Sequence, residues 1–300
     1  MILSFKTKLA LFSAVLLWAS AFVAIRAGLE DFSPGGLALI RYLIASFIMF
    51  FIFSKRKKTT KITRPDLLFA LFAGIIGIGL YNITLNYGEL VISSGIASFI
   101  ISQSPIITVT FAIVILGEKM NRVGFIGMML SGVGVAFIAL SQVQNFDFYL
   151  GIINIFIATI VGSLYSIFQK SLLKKYDVIE ITTYAIWGGT FILLFFTMDL
   201  LNDLQNISLH GATIAIYLGI FPTVIGYLAW SYALSQIPAS RAVSYLYFTP
   251  IFATFIGWIW LDEVPATLAF IGGLIALLGV YVVNQSFKRG ITFNKTEEPA

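Results

Sequence analysis

Asn82 and Asn86 stand four residues apart in a stretch otherwise rich in Ile, Leu and Gly, so on a helix their amides share one face, with Tyr81, Thr84 and Tyr87 nearby. Other apolar stretches are punctuated in the same way. Ser94, Ser98, Ser102 and Pro105 recur along one stripe beside Gln103 and Thr108, and Asn154, Ser163, Tyr165, Ser166 and Gln169 mark a later segment. Tyr227, Trp230, Ser231, Ser244, Tyr245, Tyr247 and Thr249 follow in the last third, and Trp18 and Ser20 lie near the start. These amides, hydroxyls and aromatic rings are tools of noncovalent recognition. Gathered around a cavity, they suit an amphipathic or zwitterionic solute, whose polar atoms need hydrogen bonds and whose body needs apolar contact. The same groups serve equally well as bridges between helices in lipid. The shared face of Asn82 and Asn86 is the strongest candidate for lining.

The parts needed for covalent chemistry are missing. With no cysteine there is neither a disulfide framework nor a thiolate nucleophile, and the one histidine, His210, has no companion ligand and reads as an interfacial residue near a helix start. Paired carboxylates, a Ser/His arrangement and the G-x-x-x-x-G-K-[ST] phosphate cradle are all absent from the apolar segments. The expectation is a protein that is not an enzyme and needs no metal or cofactor. No Asp or Glu falls near the middle of an apolar run, which favours facilitated diffusion or exchange over an obligatory proton relay.

The elements that position these groups must be membrane helices. Of 300 residues, 59% are hydrophobic and 11% charged, less than half the charged share of an average soluble domain of about 25%. Runs long enough to cross lipid occur at about 8–27, 36–53, 67–86, 91–116, 122–140, 149–170, 179–199, 210–233, 239–260 and 266–285. Short connections carry breakers such as Ser33-Pro34-Gly35-Gly36 and Val264-Pro265. With the N-terminus in the cytoplasm, alternate loops place every Lys and Arg inside except Arg26 and Arg41, which is 19 minus 2, or 17. Basic residues so placed explain the net charge of +5 as membrane orientation, and nucleic acid is not expected as a partner. Arg26 and Arg41 approach the outer face, where each could attract a carboxylate but more readily snorkels or pairs with Glu30 or Asp31. Both termini fall in the cytoplasm, and residues 286–300 read as a disordered tail.

A shift of 145 positions lays Gly74 on Gly219, Tyr87 on Tyr232, Pro105 on Pro250, Glu118 on Glu263, Gly127 on Gly272 and Gly134 on Gly279. The segment WASAFVAIR matches GSLYSIFQK at a shift of 144, which pairs Arg26 with Lys170. The expected fold is therefore all-α and integral to the membrane: ten transmembrane helices as two inverted repeats, 8–140 and 149–285, each of five helices. An odd number of helices per half forces the second to enter upside down, which suits alternating access. Pro105 and Pro250 occupy equivalent helix positions as candidate hinges, and Glu118 and Glu263 cap equivalent helix ends.

The segments LLWASAFVAIR, LIRYLIA, SPIITVTFAIVILGEKMNRVGFIGMMLSGVGV and TPIFATFIGWIWLDEVPATLAFIGGLIALLGVYVV resemble the drug/metabolite transporter superfamily, in its bacterial EamA-type branch. The resemblance implies a carrier of metabolites in the bacterial inner membrane, often an exporter of amino acids, with helices 1, 3, 4, 6, 8 and 9 around a central cavity. It also places Glu118 by the cytoplasmic gate, and helices 5 and 10 at the periphery, packing the repeats and leaving room for a homodimer. Gly162 departs from it, standing where the family often has tryptophan. The expected substrate-binding set is Trp18, Ser20, Asn82, Asn86, Ser98, Ser102, Tyr165, Gln169, Tyr227, Trp230 and Tyr247, with Pro105, Glu118 and Pro250 as gate or hinge. Two alternatives stay open: an importer or exchanger of a nucleotide-like cofactor such as S-adenosylmethionine, and a membrane scaffold that moves no solute.

Overall fold

The computed structural model describes residues 4–56, 61–116, 122–140, 146–237 and 239–294. Within them the chain is helical and without strands, and its helices fall into ten segments. These are α1 (Phe5–Gly28), α2 (Pro34–Lys55), α3 (Arg64–Glu89), α4 (Ser94–Ile101, then Ser104–Leu116), α5 (Arg122–Leu140), α6 (Phe146–Leu172), α7 (Val178–Asp203), α8 (Leu209–Gln236), α9 (Ala239–Val243, then Thr249–Leu261) and α10 (Thr267–Asn294). Six of them, α1, α2, α3, α6, α7 and α8, are uninterrupted, apolar and long enough to cross a bilayer. The last helix runs past residue 285 to Asn294, and the rest of the expected tail, 295–300, lies outside the described residues.

Helix starts follow local chemistry. Ser4, Ser33, Thr63, Asp177 and Ser208 each accept a hydrogen bond from a backbone N–H of the first turn, and Pro34 and Pro65 supply a preset φ where no donor is needed. On one face of the protein, Asp203, the last residue of α7, accepts from Ser33 N and Oγ at 3.0 and 2.7 Å, bracing α2. Asp31 accepts likewise from Ser208 N and Oγ at 3.0 and 2.8 Å, bracing α8. Arg56 and Glu180 form a buried pair at 2.7 Å near the opposite ends of α2 and α7.

Three irregularities repeat between the halves. A π-helical turn in α3, Ile75–Leu80, falls at the shift of 145 within the π-helical turn of α8, Gly219–Ile225. The break in α4 at Ser102 and Gln103 falls on the end of the 3₁₀ stretch Ser244–Phe248 in α9. Pro105 and Pro250 both sit in the first turn of the helix that follows such a break, so each starts a new helix and does not kink an existing one. The third repeated feature is the crossing of α5 and α10. A β-carbon on Gly134 would lie 2.4 Å from Ala276 N, and one on Gly279 would lie 2.4 Å from Ser131 N, the same contact seen from each half.

The repeats interlock. α3 packs on α6 and α7 of the other half, and α8 packs on α1 and α2. Backbone meets backbone at these crossings: a β-carbon on Gly188 of α7 would stand 2.1 Å from the carbonyl oxygen of Leu71 in α3, whereas one on Gly132 would meet nothing within 4 Å. Gly188→Ala is expected to force α3 and α7 apart at a cost of about 1–3 kcal/mol. Thermal denaturation of the purified protein should register a lower midpoint for it, with Gly132→Ala unchanged as the control.

Candidate functional site

Where the halves meet lies a cavity whose empty space, its open mouth included, is about 850 Å³. Its wall comes from α1 (Trp18, Ala21, Phe22, Ile25), α3 (Gly77, Tyr81, Leu85), α4 (Ile101, Ser102, Ser104), α6 (Gly162, Tyr165, Ser166), α8 (Tyr227, Trp230) and α9 (Val243, Leu246, Thr249). A seventh helix, α2, adds Arg41.

Aromatic rings form one side. Trp18 packs on Trp230 with ring centroids 5.1 Å apart and on Tyr227 at 5.4 Å, and Tyr227 reaches Tyr165 at 6.2 Å. Trp18 donates its indole N–H to Pro222 O at 3.1 Å. The Trp230 indole nitrogen and the Thr249 hydroxyl have no partner among the described residues, so both remain available at the wall. Tyr81 lies over Gly162, whose β-carbon would approach its ring at 3.1 Å, and the tyrosine fills the space a larger residue on α6 would take.

The charged side is built by the two π-helical turns. Arg41 is 4% exposed, which departs from the expectation of a residue reaching to the membrane interface. Its Nε donates to Thr223 Oγ1 at 2.6 Å, and its Nη1 donates to Asn82 Oδ1 at 3.0 Å. Thr223 stands in the π turn of α8 and donates onward to Leu218 O, five residues back, at 2.7 Å. Asn82 follows the π turn of α3 and donates to Ile78 O and to Tyr42 Oη, each at 2.8 Å. Tyr42 in turn donates to Tyr227 Oη at 3.2 Å, which links the cation to the aromatic side. The partners of Arg41 are thus neutral dipoles and the Tyr42 ring, 5.3 Å from its guanidinium carbon, and no carboxylate pairs with it among the described residues.

Of the residues singled out from sequence, the structure brings Trp18, Ser102, Tyr165, Tyr227 and Trp230 to the cavity wall. Asn82 stands one step behind it, holding Arg41. Gln169 donates to Tyr165 Oη and Ser231 Oγ, each at 2.8 Å, and so supports a lining ring from below. Others are helix ties outside the wall: Ser20 pairs with Tyr217 Oη at 2.6 Å, Asn86 donates to Pro34 O at 2.9 Å, and Ser98 donates to Gly95 O at 2.6 Å. Tyr247 lies in the 3₁₀ stretch of α9, outside the wall, with its hydroxyl unpartnered. Glu118 lies outside the described residues. Arg41, Tyr81, Ser104, Ser166 and Thr249 complete the wall; an arginine inside an apolar run was the signal that could have placed the first of them.

At the face where α1 ends, Arg26 donates Nη1 to Glu89 O and Leu90 O at 2.6 and 2.8 Å and Nε to Glu263 Oε1 at 3.2 Å. Glu263 also accepts from Ser94 N and Oγ at 3.1 and 2.8 Å, so it clasps the start of α4, and Arg26 pairs with it in place of Glu30 or Asp31. At the other face Lys170, the counterpart of Arg26, donates to Leu234 O and Ile237 O at 2.5 and 2.9 Å.

Comparison with known proteins gives a consistent picture. A model described as the EamA-like transporter family matches residues 6–140 and again 149–285. An uncharacterized transporter of Bacillus subtilis, YdfC, is 38% identical over 88% of this chain and 86% of its own. A protein of Streptantibioticus cattleyicolor named as a probable terminal-alkyne amino-acid exporter is 31% identical over 92% of each chain. One solved crystal structure superposes with a TM-score of 0.65 over 94% of this chain and 98% of its own, at 16% identity, which speaks to the fold alone.

Trp18 lines the cavity with the buried Trp230 packed on it, whereas Trp258 is 56% exposed on the lipid-facing surface. Binding of a non-aromatic solute in the cavity should therefore change the tryptophan emission of the purified protein. That change should shrink in Trp18→Phe and in Trp230→Phe and persist in Trp258→Phe.

Proposed function

The chain belongs to the EamA-like transporter family, and from this premise we propose that its cargo is a small amphipathic zwitterion of the amino-acid class, whose carboxylate docks on Arg41. One observation carries the reading. A guanidinium placed in lipid-buried protein without a carboxylate is costly, and here it opens on a cavity with part of its hydrogen-bonding fork satisfied by Thr223 and Asn82. A substrate carboxylate would supply the missing negative charge, while the rings of Trp18, Tyr81, Tyr165 and Trp230 receive the apolar body. The amino-acid exporter among the relatives favours the same class.

The transport cycle proposed is alternating access, outward or by exchange, with the inverted halves trading conformations around the central site. In this scheme the Arg26–Glu263 clasp closes the outer face and the Lys170 contacts close the cytoplasmic one. In this proposal both termini face the cytoplasm from a bacterial inner membrane, a reading that the excess of Lys and Arg in alternate loops supports. S-adenosylmethionine bears the same carboxylate and amine, and its adenine could stack on Trp18 and Trp230, so it belongs in the same competition.

In liposomes holding the purified protein, uptake of radiolabelled L-leucine, L-methionine and L-phenylalanine is expected to saturate, and their decarboxylated amines should compete poorly. Arg41→Gln removes a charge-assisted interaction of about 1.5–3 kcal/mol and should weaken apparent affinity by about ten- to hundredfold. Equal competition by amines and amino acids, or unchanged affinity in Arg41→Gln, defeats the carboxylate reading. Preferential displacement by S-adenosylmethionine would move the cargo to that class. Reporter tags on the N- and C-termini should both report the cytoplasm; opposite sides would contradict the ten-helix topology.

A further inference from the structure

Among the described residues, the carboxylates withdrawn from solvent at the ends of these helices are supplied with donors, with one exception. Glu180 receives both Nη atoms of Arg56, at 3.1 and 2.7 Å, and Glu263 receives Arg26 and two groups of Ser94. Glu89, the last residue of α3, is 0% exposed, and neither of its carboxylate oxygens has a hydrogen-bond partner. Arg26 is beside it, but the donors of that side chain go to the Glu89 and Leu90 backbone carbonyls and to Glu263. An ionised carboxylate left in this position would cost several kcal/mol.

The clasp itself does not need an acid there. At the opposite face the residue in register with Glu89 is Leu234, from 89 plus 145, and its carbonyl accepts from Lys170 Nζ at 2.5 Å just as that of Glu89 accepts from Arg26. A leucine serves the same backbone contact, so the carboxyl of Glu89 is an addition to the clasp on one face only.

From these two observations we propose that Glu89 is a proton-binding site, and that closing the Arg26–Glu263 face takes up a proton there. In the closed form described here the carboxyl is shut away from water without donors and carries its proton. Parting of α1, α3 and the segment after α9 would admit water to Glu89, where it ionises. The charged groups that act on it are Glu263 from beyond α9, Arg26 from α1 and Arg41 from α2; Asp147 and Tyr149 on α6 point to the exterior. Ionised Glu89 would repel Glu263 and compete for Arg26, so it also weakens the contact that closes the face. By linkage, the preference for the closed form is full below the titration of Glu89 in the open form and is lost as pH rises from there towards its titration in the closed form. An acid of this kind, at the edge of the membrane segment and not at its middle, makes the carrier's outer access proton-dependent without a relay across the bilayer.

The chain has no cysteine, so a single one can report access to the cavity. With Ala21→Cys in the cavity wall, cells are treated from outside with a membrane-impermeant thiosulfonate at a series of pH values. The labelling rate should climb with pH more steeply than in the same reporter carrying Glu89→Gln, where only ionisation of the thiol remains; the excess approaches about tenfold per pH unit for a one-proton step. Equal slopes in the two proteins overturn the proposal. Should Glu89→Gln fail to fold, the unsubstituted chain still decides. Dicyclohexylcarbodiimide, which adds to protonated carboxyls in apolar sites, should modify Glu89 at low pH and progressively less as pH rises, as read by peptide mass spectrometry. A Glu89 left unmodified at low pH overturns the proposal as well. Neither measurement involves a transported solute, so its failure leaves the Arg41 reading untouched, and failure of that reading leaves this one standing.

Discussion

A positive charge inside lipid must be solvated by the protein that carries it, and the burial of Arg41 is the constraint around which the centre of this molecule is arranged. Its two neutral partners come from different halves, Asn82 from α3 and Thr223 from α8. Both stand at or just after a π-helical turn, and in α8 Pro222 lacks the N–H that an α-helix would aim at Leu218 O, an acceptor that the Thr223 hydroxyl uses. The irregular turns are thus the means by which two smooth apolar helices present polar groups at depth. Tyr42 extends the chain of hydrogen bonds to the aromatic wall, so that charge and stacking surface are parts of a single connected assembly.

The duplicated halves share backbone features more faithfully than side chains. The π turns, the breaks before Pro105 and Pro250, and the basic residue that caps the third helix of each half all recur. What differs is placed on top of this common frame: Arg41 has no counterpart in α7, and Glu89 faces a leucine in the matching position. Symmetry of the backbone supplies two equivalent ways to close the molecule. On the readings proposed above, the unmatched charges would decide what each closure responds to.

Much of this was legible before any coordinates. Hydrophobic length alone located the ten segments, with most ends within a few residues, because lipid demands long apolar helices and tolerates few charges; the polar end of α10, which runs on to Asn294, was read as tail. The repeat was visible because glycines and prolines govern close approach and helix starts, and such positions pair without gaps. The aromatic candidates Trp18, Tyr165, Tyr227 and Trp230 reached the wall since large amphipathic rings at mid-helix have few other places to go. Small hydroxyls were harder to read: Ser98 and Ser20 satisfy a nearby carbonyl or a neighbouring helix, and a one-dimensional pattern does not distinguish that use from lining. Arg41 was misplaced for a related reason. Its distance from the helix start suggested a reach to water, but its orientation depends on Thr223, a partner 182 positions away in sequence.

The crossing of α5 and α10 contributes nothing to the cavity wall, yet the two chain halves meet there main chain against main chain at Gly134, Ala276, Gly279 and Ser131. With main chain this close, sliding one helix along the other would drive atoms together, while a small rotation about the crossing point would disturb the contact less. The pair can act as an axle. Because the crossing and the wall use different residues, under the proposed cycle mutations that retune the wall for a new cargo would not disturb the contact about which the halves turn. A family built this way can diversify its clientele while inheriting its mechanics unchanged.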